Sequence, residues 1–138
     1  MKDVSPKIAF IYPCMPHNVY APCLKFSATN NMINLVICTG FIRLPDDGYQ
    51  YLCTLNIFNP SGTDLLQDED NDFPALFPIN PDIINKNSGI TFVRSEASIL
   101  IEETGYYHIV CTLYSQGFGE ALHVNESWFY IDVMVGIK

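Results

Sequence analysis

The chain has 138 residues, a formal net charge of −8, 49% hydrophobic residues and 16% charged ones. That length suits one domain, 1–138, and the composition excludes a chain kept unfolded by high charge and low hydrophobicity. An acidic surface disfavours nucleic acid and anionic membranes as partners, and favours a basic protein.

No stretch approaches the ~20 apolar residues of a spanning helix. "MKDVSPKIAF" does not read as a secretory signal, because Pro13 and Pro16 cut the apolar run short. Five cysteines occur: Cys14, Cys23, Cys38, Cys53 and Cys111. An odd number without an export signal implies reduced, mostly buried thiols and a cytoplasmic location. Any pairing that did form is expected between Cys14 and Cys23.

In chain order, "KIAFIYP" is a short apolar strand and "CMPHNVYAPC" a proline-rich loop. The next stretch alternates. Ile33, Leu35, Ile37 and Thr39 share one face, and Met32, Asn34, Val36 and Cys38 the other. Both faces are fairly apolar, as for a strand inside a packed sandwich. "GYQYLCTLNIFNP" alternates more cleanly, with Tyr49, Tyr51, Cys53, Leu55 and Ile57 on one side, and "NPSG" then turns the chain.

Residues 64–89 lack strand periodicity. A charge run is followed by Pro74, Pro78 and Pro81, so a long acidic, proline-rich loop is expected. Asn80 before Pro81 reads as a helix cap with a first-turn proline. Strands resume after Gly89 in "ITFVRSEASILIEE", "GYYHIVCTLYSQ" and a long, bent "ALHVNESWFYIDVMVGI". The sum is an all-β, single-domain antiparallel β-sandwich of seven to eight strands. Its expected core includes Leu35, Ile37, Leu55, Ile57, Ile109, Cys111, Leu113, Phe129 and Ile131.

One phrase is written twice. "DDGYQYLCTLNIFNPSG" and "EETGYYHIVCTLYSQG" both run from acidic residues through Gly-Tyr to Cys-Thr-Leu and a turn. Cys53 lies five residues beyond Gly48, whereas Cys111 lies six beyond Gly105, so a gene repeat is not implied. Two core strands in similar places of facing sheets would meet this demand. Glu103, Gly105 and Tyr107 fall at the acidic-x-Gly-x-Tyr spacing of immunoglobulin-like domains, and the resemblance implies a tyrosine-corner sandwich. The chain departs from the antibody pattern, with Ile109 where a cysteine would stand and its only Trp, Trp128, in the last strand. Over about residues 35–133 the layout also resembles small uncharacterised bacterial and phage β-sandwich proteins, a group that implies no particular activity.

For function, no "GxSxG", "HExxH" or phosphate-binding glycine loop is present, so no catalytic residue is assigned and a non-enzymatic module is expected. A Cys–His nucleophile would need Cys111 or Cys38 with His108 or His123. His108 and Cys111, three apart on a strand, point to opposite faces. Asp64, Asp68, Glu69, Asp70 and Asp72 could hold calcium, but a glycine is missing at the sixth loop position and a glutamate at the twelfth. Cys14, His17 and Cys23, with Cys38 or His123, form a loose zinc set lacking a second close pair. No metal or cofactor is therefore assigned. The segment from Asp64 to Ile84 holds six of the fifteen acidic residues beside Phe73, Leu76, Phe77 and Ile79. An acidic rim around an apolar centre suits protein–protein contact, in a regulatory or inhibitory role, with a calcium-dependent binding β-sandwich and a self-associating structural subunit as the alternatives. The expected partner-binding residues are Asp64, Asp68, Glu69, Asp70, Asp72, Phe73, Leu76, Phe77 and Ile79.

Overall fold

Alternating apolar residues become strands whose inner side chains meet across a two-layer core. The computed structural model describes residues 5–18, 21–28, 31–45, 47–48, 50–66, 75–115 and 119–134. Among them are β1 (Lys7–Cys14), β2 (Lys25–Ala28), β3 (Met32–Ile42), β4 (Tyr51–Phe58), β5 (Ala75–Ile79), β6 (Thr91–Leu100), β7 (Gly105–Tyr114) and β8 (Ala121–Val133). A 3-10 turn, Pro81–Ile83, precedes β6. The strands form a three-stranded sheet, β1-β3-β6, and a five-stranded sheet, β2-β8-β7-β4-β5.

The core lies between the sheets. Ile33, Leu35, Ile37 and Phe41 of β3 face Cys53, Leu55 and Ile57 of β4, Ile109, Cys111 and Leu113 of β7, and Phe129 and Ile131 of β8. All nine residues expected in the core are buried. Full burial of each large aliphatic is worth about 1.5–3 kcal/mol before chain entropy is set against it. The sheets are tied where β1 crosses β8. The Ile8 amide donates to His123 Nδ1 at 2.9 Å, and Asn125 Nδ2 donates to the Ile8 carbonyl at 2.9 Å. Strand β3 is covered on both faces, as its two apolar faces foretell. Cys14, Val36 and Cys38 form a small buried cluster on its outer side, with Tyr12 packed against it.

Two pairings differ from expectation. Strand β2 joins β8 in parallel, with Lys25 opposite Tyr130 and Ala28 opposite Val133, whereas every other ladder is antiparallel. Within the expected loop 64–89, Ala75–Ile79 is a strand that continues the larger sheet beyond β4. Its Pro78 lacks an amide hydrogen and is accommodated because β5 is an edge strand. The cap at Asn80 forms as expected, its Oδ1 accepting the Asp82 amide at 3.0 Å.

The twin phrases are neighbours in one sheet, not counterparts in facing sheets. Cys53 pairs with Leu113, Thr54 with Thr112 and Leu55 with Cys111. The two Cys-Thr-Leu triplets thus meet head to tail about the threonine pair, so each small thiol sits beside a large isobutyl group on the inner face. Each phrase also carries a tyrosine clamp spanning four residues. Tyr107 Oη donates to the Glu103 carbonyl at 2.6 Å, and Tyr51 Oη donates to Asp47 Oδ2 at 2.8 Å. Gly105, with φ +151°, lets the chain enter β7, and a Cβ there would stand 2.9 Å from Pro60 Cγ.

Candidate functional site: a groove between two edge strands

The Asp64–Ile84 segment is described only in part. Asp68, Glu69, Asp70, Asp72 and Phe73 lie outside the described residues. Asp64 is engaged in holding the turn after β4. Its Oδ2 accepts from Asn56 Nδ2 at 2.9 Å, and its Oδ1 accepts from the amides of Leu66 at 3.1 Å and Ile57 at 3.3 Å. Ile79, expected on the contact patch, is 0% exposed and belongs to the core. The reason is register. Ile79 stands opposite Tyr51, and residues directly opposite in an antiparallel pair point to the same face, here the buried one. Leu76 points outward and is 48% exposed. Phe77, opposite Cys53, points inward but is only partly buried.

Leu76 and Phe77 instead form one wall of a groove of about 360 Å3. Leu66 and Leu55 continue that wall inward, and the opposite wall is β6 from Ser95 to Ser98. The groove therefore runs along the open side of the two layers, between the edge of the five-stranded sheet and the edge of the three-stranded one. Leu55 is a core residue, so the groove reaches the interior. Sequence reasoning found Leu76 and Phe77. It missed Leu55, Leu66 and the β6 wall, because nothing local in "RSEASI" says that β6, paired only with β3 among the described residues, faces β5 across a groove.

A wider and more open depression of about 540 Å3 lies on the solvent face of the larger sheet, lined by Leu24, Lys25, Tyr106, Trp128, Phe129 and Tyr130. Tyr106 is 70% and Trp128 50% exposed. Trp128 stacks on His108 with ring centroids 4.6 Å apart, and His108 Nε2 lies 2.9 Å from Glu126 Oε2. Phe58 lies on the same face, with its ring centroid 6.1 Å from that of His108. Mutual stacking across strands accounts for this cluster.

Of the other constellations, the zinc set and the Cys–His pair do not assemble among the described residues, and most of the calcium set lies outside them. Among the described residues no three His, Cys, Asp or Glu side chains come together as a metal site. His123 accepts the Ile8 amide, while Cys14 lies beside Cys38 with the sulfurs 3.5 Å apart. None of the five cysteines is in a disulfide, so the Cys14–Cys23 pairing does not form. Burial, reinforced by Cys38, pushes the Cys14 thiol up to about 12. The Cys111 thiol beside Cys53, together with burial, pushes Cys53 well above the ordinary thiol range. Neither is a thiolate poised for attack near neutral pH. His108 lies on the outer face and Cys111 is buried on the inner one, as their spacing requires.

Among the described residues no helix is long and apolar enough to cross a membrane. No protein-family model matches the sequence, and the comparison with curated proteins found no match. Among solved structures, a Bacteroides uniformis β-glucuronidase is similar over 90% of this chain, with a TM-score of 0.61 and 13% sequence identity. The chain spans 14% of that enzyme's length, and the likeness is one of fold. A Niemann-Pick type C2 protein from the Japanese carpenter ant is similar over 93% of both chains at 11% identity, with a TM-score of 0.43. The protein is thus an all-β, two-sheet, sandwich-like molecule with an apolar groove at its open side.

Proposed function

We propose that this chain is a non-enzymatic binding module that works by protein–protein contact, and that its partner lies in the groove between β5 and β6. The observation that carries the reading is the groove itself. Leu66, Leu76 and Phe77 present apolar surface beside a strand edge, and a partner burying that surface gains about 25 cal/mol per Å2 of apolar area. The net charge of −8 supports a basic partner, attracted before contact and weakened by salt. For the finer fold, the Tyr107–Glu103 clamp supports an immunoglobulin-like, tyrosine-corner sandwich. A regulatory or inhibitory role in the cytoplasm suits such a module, and self-association is the alternative that light scattering separates.

The test is Leu76→Asp. Leu76 is half exposed, so the variant should fold with an unchanged melting curve. It is expected to lose the partners captured by the parent protein at matched salt. A folded variant that keeps every partner refutes the groove as the contact surface.

A further inference from the structure

Edge strands present unpaired amides and carbonyls, and proteins ordinarily blunt them with proline, bulges or short length. Three of the four edges here are blunted. Strand β2 has four residues, and β5 has five including Pro78. Strand β1 contains Pro13, breaks register between Ile8 and Phe10, and is tied to β8 at the Ile8 backbone. Strand β6 has ten residues, Thr91–Leu100, with neither proline nor glycine. Among the described residues it pairs only with β3. Its other edge runs along the groove at Ser95–Ser98.

The floor of that groove limits what can occupy it. Phe77 of β5 points toward the inner layer, yet is only partly buried and lines the groove beside β6. Among the described residues the smaller sheet has no strand beyond β6 to lie over β5. A whole second copy, joined edge to edge through β6, would bring its own five-stranded sheet into the space that β5 fills. A lone extended segment brings no second layer with it. On its inner side it would rest on Phe77 and Leu66. On its outer side it would meet Arg94 and Glu96, both exposed on β6. The Arg94 guanidinium is held 5.3 Å over the Phe92 ring, so its charge is already positioned on that face.

We propose that β6 recruits an extended segment of a partner protein by antiparallel strand addition, reading the pattern basic–apolar–acidic. This rests on the groove being the contact surface. In antiparallel pairing the partner's basic residue stands opposite Glu96, the next residue points inward to the apolar floor, and the following acidic residue stands opposite Arg94. A parallel strand would need the reverse order. Backbone bonds to Ser95–Ser98 would supply affinity, and the two charge pairs would set direction and register.

The experiment uses two fluorescein-labelled synthetic peptides of about eight residues with identical composition. Both alternate valine with polar residues. One carries Lys-Val-Glu at its centre and the other Glu-Val-Lys. Fluorescence anisotropy is measured with the parent protein and with the double variant Arg94→Glu/Glu96→Arg, each confirmed folded by its melting curve. The Lys-Val-Glu peptide is expected to bind the parent about five- to tenfold more tightly than its reverse, and the double variant should invert that preference. On binding, the alternate amides of Ser95–Ser98 that point away from β3 should gain protection from hydrogen exchange. No binding of either peptide at millimolar concentration overturns the proposal, as does equal binding of both peptides to both proteins. If Leu76→Asp abolishes capture of the native partner while the charge exchange leaves it intact, the groove reading stands and strand addition falls.

Discussion

Replacing Tyr107 with phenylalanine removes one oxygen from a buried position and leaves the ring. The hydroxyl donates to the Glu103 carbonyl at 2.6 Å, and the side chain is 0% exposed. A net hydrogen bond of this kind contributes about 0.5–1.5 kcal/mol. Glu103 is partly exposed, so water can recover some of the abandoned carbonyl, and the expected cost is ~1 kcal/mol. With an unfolding entropy of about 2.1 cal/mol/K per residue over 138 residues, that loss lowers Tm by about 3–4 °C. The pH dependence adds a second signature. Burial is the main cause that raises the Tyr107 phenol above the ordinary tyrosine value of about 10, opposed by the Glu103 bond and assisted by the Glu103 and Glu102 charges. With the folded value raised, the contribution of Tyr107 is fully present below pH 10 and is lost as pH climbs through the folded value. The gap in Tm between parent and Tyr107→Phe should therefore stay constant from about pH 6 to 9 and narrow above about 10. Scanning calorimetry across that range decides it. Identical melting curves for the two proteins would refute the clamp.

Two further outcomes follow from burial. In the native state a thiol reagent at pH 8 should modify Cys23, which is partly exposed, while Cys14, Cys38, Cys53 and Cys111 react only on unfolding. Mass spectrometry showing rapid native labelling of more than one cysteine contradicts this. On β5, Ile79→Ala should cost about 2–4 kcal/mol and Leu76→Ala under about 1 kcal/mol, because one side chain is core and the other half exposed. Equal urea midpoints for the two variants would overturn the register of β5 on β4.

Alternation is a local property, and it was legible wherever a strand carried enough residues to show it. The inner residues of β3, β4, β7 and β8, the cap at Asn80 and the opposite orientation of His108 and Cys111 all followed from spacing within a few positions. The four-residue β2 was too short to reveal a period, and its parallel partner lies about a hundred residues away in sequence. Strand β5 was hidden by Pro78, which argues against a strand until the tertiary structure places it at an edge.

The candidate site divides in the same way. Leu76 and Phe77 drew notice as apolar residues in an acidic stretch, and both line the groove. Ile79, two residues on, drew the same notice but is buried, because the pairing of β5 with β4 selects which side chains face inward. Composition, period and turn chemistry thus determined that this chain builds a β-rich core, and which residues of its longer strands fill it. Which strands become neighbours, which edge stays open and where two distant walls enclose a groove were decided only by tertiary packing. Those features depend on contacts between segments far apart in the chain, and a local pattern carries no record of the partner it will meet.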